Sequence, residues 1–167
     1  VFSLLIIFLY ILLRFRKWQF SLGAVTAVFH DVIIVLSVFS IFYGILPFSL
    51  EIDQAFIAAI LTIIGYSLND TVVVFDRVRE YMNSYKKKEI FELINSSLNS
   101  TLSRTINTSL TTFVVLLIIF IFGGEVIRGF MFALMVGVMV GTYSSLFVAS
   151  PIMLDTLKKK VEKSSRK

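Results

Sequence analysis

The chain contains no cysteine, which excludes disulfides and thiolate metal sites. Its single histidine, His30, gives no basis for a zinc centre. Two prolines and eight glycines in 167 residues leave long stretches without a helix breaker. Charge is scarce too: 16% of residues are Asp, Glu, Lys or Arg, against about 25% in an ordinary soluble domain. There is no activated nucleophile, metal-ligand cluster or phosphate-binding loop, so neither an enzymatic activity nor a cofactor is expected.

What is abundant is apolar. Hydrophobic residues make up 57% of the chain and the mean hydropathy is +0.88. A water-soluble core cannot absorb that much apolar surface, so the expected class is an all-α integral membrane protein. Val1 opens directly into apolar sequence with no signal-peptide pattern. We expect the chain to be a piece of a longer one.

Apolar runs of about 20 residues mark membrane spans. They predict a five-helix bundle over residues 1–13, 20–45, 55–75, 103–122 and 127–154, with the first helix truncated. Residues 88–102 repeat apolar side chains at helical spacing (Ile90, Phe91, Ile94, Leu98, Leu102) opposite Glu89, Glu92, Ser96, Asn99 and Ser100. That pattern predicts a separate amphipathic helix lying at the membrane surface. Pro47 and Gly123-Gly124 suit tight turns, and Pro151 is expected to bend or end the last helix. Residues 158–167 form a basic tail.

The Lys and Arg residues alternate between the spans. Arg14, Arg16 and Lys17 follow the first, Arg77, Arg79, Lys86, Lys87, Lys88 and Arg104 lie between the third and fourth, and the tail carries the rest except Arg128. The positive-inside rule makes that side, and the C-terminus, cytoplasmic. The basic residues are not gathered on one soluble face, so nucleic-acid binding is not expected. Membrane lipid is the surrounding partner.

Asp70 lies inside the third span. A carboxylate there costs about 2.5–3.5 kcal/mol on insertion scales, so its presence points to a use. Counting from Ala55 at 1.5 Å per residue, it sits roughly 22 Å into a hydrocarbon core of about 30 Å. Arg104 begins the fourth span within the polar run Ser103–Ser109. Only 13 residues follow from Leu110 to Phe122, so the polar run must be drawn into the membrane, which lets Arg104 approach the depth of Asp70; whether the two face each other is not readable from sequence. Burial favours the neutral acid and a nearby arginine favours the carboxylate. Protonation of Asp70 would release Arg104, turning proton binding into helix movement. The alternative is a static pair that holds two helices together. Asn69 and Thr108 are candidate supporting groups. Asp31, beside His30, is either a second relay carboxylate or a hydrogen-bonded packing group. Asp76 and Arg77 read as interfacial anchors. Gly129, Ala133, Gly137, Gly141, Ser145 and Ala149 recur every fourth residue as a ridge of small side chains, the pattern that lets helices approach closely in lipid. The ridge either packs the bundle or lets helices slide.

The run Gly65-Tyr66-Ser67-Leu68-Asn69-Asp70-Thr71-Val72-Val73-Val74-Phe75-Asp76-Arg77-Val78-Arg79-Glu80 resembles the signature of the SecF family of protein-export membrane proteins. His30-Asp31-Val32, Arg104-Thr105 leading to Thr111-Thr112, Phe122-Gly123-Gly124, Gly141-Thr142 and Val148-Ala149-Ser150 agree in order and spacing. The resemblance implies half of an RND-type membrane domain. It comes either from a separate SecF or from the SecF part of a fused SecDF, and SecD supplies the other half together with a further carboxylate. It implies Asp70 as the proton-path aspartate and Arg104 as its partner. The implied activity is use of the proton gradient to assist export of a secreted polypeptide across the bacterial cytoplasmic (inner) membrane. SecYEG and the SecA motor start that export, and YajC and YidC are further associates. An extra first span and a periplasmic domain, usual in the family, are not in this sequence. The alternatives are a non-transporting assembly subunit of the translocon and half of an RND-type small-molecule exporter.

Overall fold

A computed structural model describes residues 2–85 and 89–165. Lys86, Lys87, Lys88, Arg166 and Lys167, assigned above to the basic side, lie outside the described residues. Every regular element is a helix: α1 (Phe2–Phe15), α2 (Trp18–Phe42), α3 (Gln54–Ser84), α4 (Ile90–Phe122), α5 (Glu125–Ser144) and α6 (Ser150–Ser165). A π-helical turn, Ser145–Ala149, joins α5 to α6. Four of the helical stretches, with α5 through Lys159 counted as one, are long and apolar enough to cross a membrane. The apolar α1 is shorter. The chain is a multi-pass membrane protein of the expected all-α class.

The boundaries differ from the expected ones where polar sequence keeps helical geometry. α3 continues past residue 75 through Asp76–Glu80 to Ser84. At 31 residues it is longer than the hydrocarbon core is thick, so its charged end projects beyond the apolar layer. The separate surface helix over 88–102 is not observed. Residues 90–122 form one helix because no glycine or proline interrupts them. Of the expected surface stripe, Ile94 is buried in the bundle together with the flanking Leu93, whereas Phe91 is exposed. Pro151 does not end the last helix. It occupies the second position of α6, and the π turn before it absorbs the missing N–H, with the Ser150 hydroxyl donating to the Ser145 carbonyl at 3.0 Å.

α5 packs against α2, α3 and α4 and is the central helix of the bundle. Gly123 closes the α4–α5 turn by donating its N–H to Ile119 at 2.7 Å, and a Cβ there would strike the Ile119 carbonyl oxygen. Asp53 caps α3, its Oδ1 accepting from the Phe56 N–H at 2.8 Å. Asp53→Ala is expected to lower stability by about 1 kcal/mol, with Asp53→Asn near wild type. Thermal unfolding of the detergent-solubilised protein checks both.

The core is divided. One apolar cluster, at the end where Arg14 and Arg77 lie, contains Ile11, Phe15, Phe20, Phe75, Val78, Leu93, Ile94, Ala149 and Met153. Phe20 stacks on Phe15 with ring centroids 5.1 Å apart and meets the edge of Phe75 at the same separation. The second cluster, toward the other end, contains Val35, Phe39, Leu50, Phe56, Ala59, Ile63 and Ala133. Between the two clusters lie the buried polar residues Asp31 on α2, Ser67, Asp70 and Thr71 on α3, Ser144 on α5 and Ser145 in the π turn. The bundle is therefore two apolar plugs with a polar layer between them.

Candidate functional site

Two carboxylates lie in that layer, and their surroundings differ. Asp31 on α2 is 1% exposed. Its Oδ2 accepts from the Ser67 hydroxyl of α3 at 2.6 Å and from the Ser144 hydroxyl of α5 at 2.8 Å. Its Oδ1 lies 3.1 Å from Nδ1 of His30. Three partners from three helices occupy three of the carboxylate's roughly four acceptor positions.

Asp70 on α3 is 6% exposed and has one long partner. The Ser109 hydroxyl of α4 donates to its Oδ2 at 3.4 Å. Ser109 is itself a junction, reached by the Tyr66 hydroxyl at 3.3 Å and by Thr142 Oγ1 of α5 at 2.6 Å. A buried carboxylate has room for about four hydrogen bonds. Among the described residues Asp70 thus has fewer hydrogen-bond partners than Asp31.

Arg104 is brought near Asp70 but not into contact. Among the described residues, ion pairs join Arg14 to Asp76 (2.9 Å) and Arg77 to Glu80 (2.7 Å), and none joins Asp70 to Arg104. Arg77 Nε donates to Ser100 at 2.9 Å. That bond and the Ser109–Asp70 bond set the register of α3 on α4 and place Arg104 beside Val73. Arg104 therefore stands about one turn, roughly 5.4 Å, toward the basic end from Asp70. It lines an open groove of about 380 Å³ with Val73, Asp76, Arg77, Glu80, Ser100 and Thr101.

The two supporting candidates on the Asp70 side are not drawn into the cluster. Asn69 is exposed on the outer side of α3. Thr108 is also exposed, and its hydroxyl donates to the Arg104 and Thr105 carbonyls of its own helix, both at 3.0 Å. One residue turns a helix by about 100°, and Ser109 rather than Thr108 faces Asp70. Sequence reasoning missed Ser67, Ser109, Thr142 and Ser144 as site residues. Ser67 and Ser109 stood in the polar runs it singled out, and Thr142 follows a glycine of the ridge, but no pattern assigned them partners.

The small-residue ridge lies mainly against α3. Side chains added at Gly137 and Gly141 would meet Ile63 and Ser67, one turn apart on α3. The Ser145 hydroxyl lies 2.8 Å from that of Thr71. Gly129 sits on the Ser49 carbonyl, Ala133 is buried in the second apolar cluster, and Ala149 presents its carbonyl to Gly23 of α2. Among the described residues no group of His, Cys, Asp or Glu is arranged to hold a metal ion.

Comparison with known proteins agrees with this architecture. The family described as "Protein export membrane protein SecD/SecF, C-terminal" matches residues 1–159. The chain is 67% identical over 153 residues to the protein translocase subunit SecF of Rhodothermus marinus, covering 92% of this chain and 49% of that protein. It is 49% identical over 145 residues to the SecF of Cereibacter sphaeroides, covering 87% and 43% respectively. The chain thus spans about half the length of these relatives. A crystal structure of SecDF in its super-membrane-facing form superposes with a TM-score of 0.86 at 42% identity, over 98% of this chain and 22% of that one. The SecDF of Thermus thermophilus superposes at 0.79 and 44% identity, over 90% and 20%. With residues 1–159 matched to the family's C-terminal region, this chain belongs to the SecD/SecF family of protein-export membrane proteins.

Proposed function

We propose that this chain is the energy-coupling membrane half of a Sec translocation subunit, using the proton gradient to assist polypeptide export. Asp70 binds and releases the proton, and Arg104 is the charge that responds. SecD, separate or fused, supplies the second half, and the complex works beside SecYEG, with YajC and YidC as further associates. The basic end faces the cytoplasm, since the positive charge is concentrated there, and the membrane is the bacterial inner membrane. The chain has no enzymatic role.

One observation carries this reading: among the described residues, a buried Asp70 has a single long hydrogen bond, and Arg104, one turn away, has no ion pair. Neutral Asp70 is the cheaper form to bury, and charged Asp70 attracts Arg104. The two protonation states therefore favour different positions of α3 against α4. Each elementary charge moved across the field is worth about 2.3 kcal/mol per 100 mV, enough to drive a helix shift.

Infrared difference spectroscopy on the assembled complex tests it. A protonated-carboxyl band is expected to appear and vanish as the proton gradient is imposed and collapsed, and to be absent in Asp70→Asn. An Asp70 held in one charge state throughout would remove the trigger.

A further inference from the structure

Asp31 is buried and takes no part in the proposed proton step. Its Oδ2 joins Ser67 of α3 to Ser144 of α5. Ser67 is three residues from Asp70 on α3. Ser144 is two residues from Thr142, which is 2.6 Å from Ser109, the hydrogen-bond donor to Asp70. The π turn begins directly after Ser144. Such wide turns are weak points in a helix and recur at functional sites. The Asp31 carboxylate therefore binds α5 at the residue where its regular helix stops.

We propose that Asp31 is a positioning residue for the Asp70 site. It fixes α3 and α5 to each other at the level of Asp70, so that Thr142 holds Ser109 where its hydroxyl reaches the acid. This rests on the reading of Asp70 as the proton-binding group. It deepens that reading by assigning the second carboxylate a role without proton transfer. The titratable groups in this layer, among the described residues, are His30 and Asp31 on α2, Tyr66 and Asp70 on α3, Arg104 on α4 and Tyr143 on α5, whose ring centroid is 6.5 Å from that of His30. Of these, only His30 hydrogen-bonds to Asp31.

The chemistry of asparagine separates positioning from proton carriage. An Asn carbonyl oxygen has two lone pairs and accepts from both Ser67 and Ser144, and its amide can donate to Nδ1 of the other His30 tautomer. Asp31→Asn keeps the three-helix junction and cannot carry a proton. Asp31→Leu removes the junction, and Ser144→Ala removes one arm of it with minimal change in volume.

The test uses the complete complex in lipid vesicles. It reads the pH midpoint of the carboxyl band that Asp70→Asn abolishes, together with gradient-stimulated export. Asp31→Asn is expected to leave the midpoint and export near wild type. Asp31→Leu and Ser144→Ala are expected to move the midpoint in the same sense, by about half a pH unit or more. Should Asp31→Leu fail to assemble, Ser144→Ala carries the comparison alone. Loss of gradient-stimulated export in an assembled Asp31→Asn complex would make Asp31 a proton carrier and overturn the proposal. So would an unmoved midpoint in Ser144→Ala. A band that survives Asp70→Asn would remove the reading of Asp70 itself, and the positioning role with it.

Discussion

In the complete assembly, Asp70→Asn is expected to eliminate the part of polypeptide export that responds to the proton gradient, while the complex still forms. The amide is nearly isosteric with the acid and keeps an oxygen to accept from Ser109, the one hydroxyl that contacts Asp70. It also removes the burial cost of a charge, about 2.5–3.5 kcal/mol on insertion scales, so no loss of stability is expected. What disappears is the exchange between neutral and charged forms, and with it the changing pull on Arg104. Export into vesicles should then proceed at one rate with the gradient imposed or collapsed. Pull-down of the assembled complex from the same membranes separates the alternatives. Gradient-dependent export that stays undiminished would exclude Asp70 from the mechanism. A fall in export that tracks a fall in recovered complex would instead favour a purely assembling subunit.

Gly23→Ala is expected to be among the most destabilising single-methyl additions in the chain. A Cβ on Gly23 would lie 2.6 Å from the carbonyl oxygen of Ala149 and 3.3 Å from the Phe75 ring. Ala149 is the last residue of the π turn, and a backbone carbonyl cannot rotate aside as a side chain does. Overpacking of this kind costs about 1–3 kcal/mol, and the upper end applies where backbone must move. The better helix propensity of alanine returns at most about 1 kcal/mol. A net loss of about 2 kcal/mol is therefore expected, read as a lowered unfolding temperature of the detergent-solubilised protein.

Gly137→Ala makes the contrasting case. There the obstacle is the side chain of Ile63, and truncating it relieves the clash. Ile63→Ala combined with Gly137→Ala should be less destabilised than the sum of the single changes, by about 1 kcal/mol or more. Additive losses would mean that the α3–α5 seam is not set by this contact.

Much of this protein was legible in the order of its residues, for a plain physical reason. Lipid offers no hydrogen bonds to a bare backbone, so long apolar runs have to be helices. The same solvent makes Asp70 conspicuous, since a charged side chain within a span is costly wherever it points. Spacing at every fourth residue was enough to mark the ridge from Gly129 to Ala149, because that repeat returns to one helix face. Only the folded bundle decided which polar groups meet. Thr108 and Ser109 are neighbours in sequence, yet one bonds its own helix and the other reaches Asp70. The difference is about 100° of rotation, set by how α4 rests on α3 and α5. Asp31 gains its partners from positions 36 and 113 residues away, and no local pattern encodes such distances. The spacing of Arg104 from Asp70 likewise comes from interhelical register, which packing settles to within a turn and composition does not.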